Sequence, residues 1–174
     1  EDVYNETGIQ FVQISTLCQL RSMAKRDSTT LENASTLLFM PDLFNYWLTG
    51  VKTNELSVAS TSQCYDMRKR DWAFDLLEEL GIPAHVFQRT VLPGTVIGTL
   101  ADSLIAEIGL GEGVKVVAPA THDTASAVAA VPASGGEYAY LSSGTGSRWG
   151  VESDAPFINE KPRPGGFVIE SAVA

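Results

Sequence analysis

Positive charge is scarce in this chain: 12 lysines and arginines face 21 acids across 174 residues, a formal net charge of −9. The basic residues cluster only weakly, as at Arg68-Lys69-Arg70, whereas a nucleic-acid surface carries a basic face or stripe. Nucleic acid is therefore not an expected partner. An anionic ligand would have to be held by local backbone amides or by an accompanying metal, because the overall field opposes it. Long apolar runs are missing too. None approaches the ~20 residues of a membrane-spanning helix, and the first residues lack the three-part pattern of a secretory signal, so no membrane partner is expected. Cysteine is reduced to Cys18 and Cys64, too far apart in sequence for a local metal or redox pair. Reduced thiols in a cytoplasmic setting are the expectation, with a Cys18–Cys64 bond left to whatever the fold brings together. An initial Met and a polar closing tail are also absent, and both ends read as cuts within a longer protein.

What is present is the composition of a globular chain with a core, 44% hydrophobic and 19% charged. The first half reads as helical. Leu17, Leu20 and Ala24 share a face over 16–25, and residues 31–34 form a short helix. A helix over 41–50 has Pro41 in its first turn and Gly50 just past its end. Asn54 is placed to cap a helix over 55–63. The stretch 70–80 predicts a helix with Trp72, Leu76, Leu77 and Leu80 on its apolar face, closed by Gly81 and Pro83. Tyr46 and Trp47 read as core residues, Glu78-Glu79 as an exposed face, Arg68-Lys69-Arg70 as a solvated connection and His85 as loop.

Later the pattern changes. Residues 95–98 read as a short strand, 100–108 as a helix broken by Gly109, Gly111 and Gly113, and 114–119 as a buried strand rich in β-branched residues. A helix of small residues follows over 123–131. Strand candidates at 138–142 and 147–151 flank a glycine-rich turn, and 167–170 is a third. The switch from helices to hairpins marks a domain boundary around Pro132-Ala133-Ser134-Gly135-Gly136.

Two motifs have chemical potential. The first is the polar turn Thr121-His122-Asp123-Thr124, between the 114–119 strand and its following helix. Open α/β sheets place ligands at such strand ends. An aspartate there is equally a good helix cap, and a single histidine is as often structural as functional. The second is Ser142-Ser143-Gly144-Thr145-Gly146-Ser147 between two strands. Its small residues leave amides and hydroxyls open to phosphate oxygens, or it is simply a flexible turn. No Gly-Lys-Ser/Thr follows, so it is not a Walker loop.

The ordered company of these motifs adds more than either alone. Phe39-Met40-Pro41-Asp42-Leu43-Phe44-Asn45-Tyr46-Trp47-Leu48-Thr49-Gly50 and Glu55-Leu56-Ser57-Val58-Ala59-Ser60-Thr61-Ser62-Gln63-Cys64-Tyr65-Asp66 come first, then Trp72 to Leu80, Gly81-Ile82-Pro83 and Gly94-Thr95-Val96-Ile97-Gly98. With Thr121-His122-Asp123-Thr124-Ala125-Ser126-Ala127-Val128 and Tyr140-Leu141-Ser142-Ser143-Gly144-Thr145, the chain resembles the FGGY carbohydrate kinases over residues 5–160. The wording is nearest the branch that phosphorylates L-rhamnulose. Gly146 departs from that branch, whose phosphate turn carries Trp there, and the sequence after Lys161 departs further.

The resemblance implies an α/β, actin-like (ribonuclease H-like) fold. Residues 1–133 would be the later part of the first, sugar-binding domain, and 134–174 the opening strands of the second, nucleotide-binding domain. It implies ATP, with Mg²⁺, as phosphoryl donor and a sugar as acceptor. Asp123 matches the catalytic base, His122 and Thr124 its sugar-contacting neighbours, and Gly144 with Thr145 the phosphate-contacting turn. The resemblance supplies no metal ligand within the chain. Other FGGY ketose or polyol kinases, or a non-catalytic sugar-binding module of the same fold, are the alternatives. An internal piece of such a kinase would be inactive alone and would self-associate through uncovered sheet edges.

Overall fold

A computed structural model describes residues 2–133, 138–144, 147–158 and 166–171. The chain runs through α1 (Asp2–Thr7), α2 (Thr16–Lys25), α3 (Thr29–Glu32), α4 (Met40–Thr49), β1 (Asn54–Glu55), α5 (Leu56–Ser60), β2 (Tyr65–Asp66), β3 (Asp71–Trp72) and α6 (Phe74–Glu79). A 3₁₀ turn at Ala84–Val86 then leads to β4 (Thr90–Val91), β5 (Val96–Thr99), α7 (Asp102–Ile108), β6 (Lys115–Val117), α8 (Asp123–Ala129), β7 (Ala139–Ser143) and β8 (Ser147–Val151). The strands pair two by two. β1 and β4 are parallel, with Asn54 opposite Thr90 and Glu55 opposite Val91, and the other three pairs, β2–β3, β5–β6 and β7–β8, are antiparallel.

The core gathers around Trp72. Its ring lies 4.7 Å from Phe87, 5.5 Å from Tyr65 and 6.4 Å from Phe39, and its indole N–H donates to Gln88 O at 2.7 Å. Leu17 and Leu20 of α2, Leu76 and Leu77 of α6, and Leu31, Ile82 and Val86 complete the cluster. Burying this set removes enough apolar surface to drive the assembly of α2, α5 and α6. Cys64 lies fully inside it, and both cysteines are free thiols. Burial pushes the Cys64 thiol up to about 12, which leaves it unreactive at neutral pH.

Several sequence expectations match. α2 begins at Ser15, whose hydroxyl accepts the Cys18 N–H at 3.3 Å. α4 has Pro41 in its first turn and stops at Gly50 with φ +73°, the left-handed conformation that a residue with a Cβ resists. The hairpin β7–β8 pairs Leu141 with Trp149 and Tyr140 with Gly150, and Glu78 and Glu79 are exposed.

Others are corrected. Trp72 begins no helix: it pairs with Tyr65 in the β2–β3 ribbon, and α6 starts two residues later. Aromatic contact across the ribbon outweighs the local helical spacing. Trp47 is 57% exposed and stacks edge-on with Phe44 on the outer side of α4, while the buried positions of that helix are Asp42 and Asn45. Glu55, not Asn54, caps α5, and α5 is shorter than the 55–63 expected. The run at 114–119 yields only β6, with Lys115 and Val117 exposed, because it pairs with β5 alone and, among the described residues, its outer face has no cover. His85 sits in the 3₁₀ turn, its Nε2 3.0 Å from Ala34 O.

Residues 167–170 form no strand. They return instead to the front of the chain, where Ile169 N–H donates to Gly8 O at 3.0 Å and Gln10 Nε2 to Phe167 O at 3.1 Å. Gly8 is required at that crossing: φ is +75°, and a Cβ would stand 3.0 Å from both Ile158 and Ile169. Arg68 ties the same region down, donating to Asn5 O and to Ile158 O, so the 68–70 stretch is only partly a solvated connection.

Candidate functional site

The site is best built from its floor. Asp42 on α4 and Asn54 and Glu55 on β1 are all buried side chains, with relative exposures of 1%, 0% and 0%. Burying polar groups is costly unless every one is bonded. The Asp42 carboxylate accepts Asn54 Nδ2–H at 2.9 Å and Glu55 N–H at 3.0 Å, and Asn54 Oδ1 accepts Gln88 N–H at 3.2 Å. Burial, and secondarily the nearby Glu55 charge, raises the Asp42 carboxyl to about 6 against the opposing pull of its hydrogen bonds.

Glu55 sits at the carboxyl end of the parallel β1–β4 pair and faces two elements at once. Its carboxylate accepts the Ser57 N–H at 2.8 Å, the Ser57 hydroxyl, and the Val58 N–H at 3.4 Å, which caps α5. It also accepts Thr121 N–H at 3.0 Å and Thr121 Oγ1–H at 2.6 Å. Ser57 Oγ in turn accepts His122 N–H at 3.0 Å. The turn after β6 is thus fastened to β1 and α5 through two successive backbone amides.

On that anchored turn stand the residues expected from sequence. His122 is the N-cap residue of α8 with extended backbone, and its side chain makes no cap bond. Asp123 is the first helical residue rather than the cap. Its Oδ1 accepts Thr124 N–H at 2.7 Å, and the side chain is 98% exposed. Thr124 is half-buried beside it. The small residues of α8 let it sit close to the loop, where Ser126 donates to Ala120 O, with Ala125 and Val128 buried beneath. The structure therefore brings His122, Asp123 and Thr124 together and leaves one carboxylate open to solvent.

His122 connects this turn to the later segment. Its Nε2 is 3.8 Å from Asp123 Oδ1, and its Nδ1, buried and without a hydrogen bond, is 3.7 Å from Glu170 Oε2. Arg148 on β8 pairs with Glu170 at 2.9 Å. α8 also packs on β7, the strand that leads to Gly144. Gly144 is an exposed bend, and Thr145 lies outside the described residues. Among the described residues no group of three or more His, Cys, Asp or Glu side chains is placed to hold a metal ion, and no helix is long and apolar enough to cross a membrane.

Sequence reasoning missed Glu55, Ser57 and Asp42 as parts of the site. A signal existed: Asn54-Glu55-Leu56-Ser57-Val58 puts an acid ahead of a short apolar helix, and a helix start is where a buried acid finds free amides.

Comparison with known proteins bears on this arrangement. The model of the FGGY family of carbohydrate kinases, N-terminal domain, matches residues 1–130. Rhamnulokinase of Bacteroides thetaiotaomicron is 42% identical over 172 residues, covering 99% of this chain and 35% of the relative. Rhamnulokinase of Pectobacterium carotovorum is 42% identical over 173 residues, covering 99% and 34%. The chain thus spans about a third of the length of the curated relatives it matches. Among solved structures, xylulose kinase from Rhodospirillum rubrum superposes with a TM-score of 0.66 at 23% identity, covering 76% of this chain and 27% of that one. A carbohydrate kinase from Novosphingobium aromaticivorans gives 0.62 at 25% identity, covering 72% and 27%. The α/β, actin-like fold expected from the sequence is the fold these likenesses show.

Proposed function

The chain belongs to the FGGY family of carbohydrate kinases, and from that premise we propose that it carries the sugar-side chemistry of an ATP-dependent kinase acting on L-rhamnulose. The reaction is transfer of the γ-phosphoryl group to the sugar's primary hydroxyl, giving L-rhamnulose 1-phosphate. The substrate rests on the rhamnulokinase relatives at 42% identity. The observation that carries the mechanism is the exposed Asp123 carboxylate on a turn held from below by Glu55 and Ser57.

In this reading residues 1–133 supply the sugar side, and 134–174 begin the nucleotide side. His122 and Thr124 flank the base and orient the sugar. As the new O–P bond forms, the hydroxyl proton passes to an Asp123 oxygen, while the bond from the γ-phosphorus to the β–γ bridging oxygen breaks and ADP leaves. Such transfer depends mainly on alignment and charge stabilisation, to which a positioned base adds roughly 10²–10⁴-fold. By their match to the family's motif, Gly144 and Thr145 are the residues assigned to the phosphate oxygens. Mg²⁺ accompanying ATP would supply charge neutralisation at the phosphates. A reaction that consumes ATP and a catabolic sugar belongs in the cytoplasm, and the 174 residues alone are expected to be inactive.

The test is ADP release by the full-length protein with L-rhamnulose and a panel of ketoses and polyols. Asp123→Asn should lower kcat by roughly 10²–10⁴-fold and leave sugar affinity within a few-fold. Undiminished turnover in that variant would sink the assignment of the base. Preference for another ketose would move the substrate within the family, and sugar binding without turnover in the wild type would make the protein a binding module.

A further inference from the structure

We propose that Glu55 is a positioning residue for the base, acting through Thr121, an inference that rests on the reading of Asp123 above. A buried carboxylate is tolerated only when donors surround it, and Glu55, with no exposed surface and no ion pair among the described residues, is met by donors alone. Capping α5 would need only the donors of Ser57 and Val58. Two further donors reach it from a single residue 66 positions away, and that residue stands two places before Asp123. Ser57, itself bonded to Glu55, takes the next amide along, that of His122.

The consequence is geometric. The Asp123 side chain is 98% exposed, and its hydrogen bonds come from the adjacent Thr124 alone among the described residues, the amide at 2.7 Å and the hydroxyl at 3.4 Å. Its position is therefore dictated almost wholly by the backbone that carries it. Of the bonds that hold this backbone, the two from Thr121 to the Glu55 carboxylate are charge-assisted, stronger than neutral ones and narrower in geometry. Misplacement of a reacting group by about 1 Å can cost on the order of a hundredfold in rate. Glu55, fully buried, touches no substrate. It sets where the base stands.

The experiment uses the full-length protein, with rates normalised to the folded fraction from chemical denaturation. Glu55→Gln turns one acceptor oxygen into a donor facing Thr121 or Ser57, and it should lower kcat at least tenfold. Because that variant can lose stability, Thr121→Val, which removes only the hydroxyl, and Thr121→Ser, which keeps it, carry the decision. Thr121→Val should lower kcat about tenfold with sugar Kd changed less than threefold, and Thr121→Ser should restore the wild-type rate. Placed on Asp123→Asn, Thr121→Val should add no further loss, since a residue that acts through the base has nothing left to position. An additive loss in the double variant, or full activity in Thr121→Val, overturns the proposal. Undiminished activity in Asp123→Asn alone would instead overturn the reading beneath it.

Discussion

Single residues in this chain show how burial sets chemistry. Asp42 is inside and Asp123 outside, and burial raises the Asp42 carboxyl from 3.8 to about 6. Between those values the folded chain holds the proton more tightly than the unfolded chain. The stability Asp42 contributes is therefore complete below its ordinary value and is lost as pH rises through about 6. The swing is roughly 3 kcal/mol at most. Urea titrations from pH 4 to 7 should show wild type losing stability relative to Asp42→Asn as pH rises. A difference between the two that is flat with pH would contradict this. The variant should start from a lower baseline, because its new amide sets a donor against Asn54 Nδ2, which now donates to Asp42.

At the scale of elements, punctuation was legible and partnership was not. α4 could be read from Pro41 and Gly50 because both act on their own backbone. Gly50→Ala should cost about 1–2 kcal/mol in a denaturant titration, all of it backbone strain, since nothing lies within 4 Å of the added Cβ. No loss would show that the left-handed stop is dispensable. Trp72 misleads because its spacing to Leu76 suits a helix, while the deciding partner, Tyr65, lies across a ribbon. β6 reads as buried because β-branched residues favour interiors, yet what covers a strand is decided by other elements. The turn at residues 121–124 could be located from its residue types and its place after a strand. Its floor could not, because Glu55 is intelligible only once Thr121 is beside it.

The whole molecule leaves apolar surface in the open. Leu141 and Trp149 face each other across the hairpin β7–β8 with exposures of 66% and 72%, and Val151 adds 66%. Contiguous exposed patches of this kind promote association. The 174-residue chain by itself should therefore self-associate in sedimentation velocity, and Leu141→Glu with Trp149→Glu should shift it towards monomer. A wild-type chain that stays monomeric at high micromolar concentration would refute the expectation.

The bond between Glu55 and Thr121 also has a place in time. During synthesis the carboxylate emerges 66 residues before the donors that complete its shell. At ~5–20 residues per second this interval lasts several seconds. Throughout it, α5 can form only around an acid still missing two of its partners. Arrival of residue 121 closes that shell and sets the site turn in the same event. The turn that carries Asp123 is fastened only once residue 121 is there to bond Glu55.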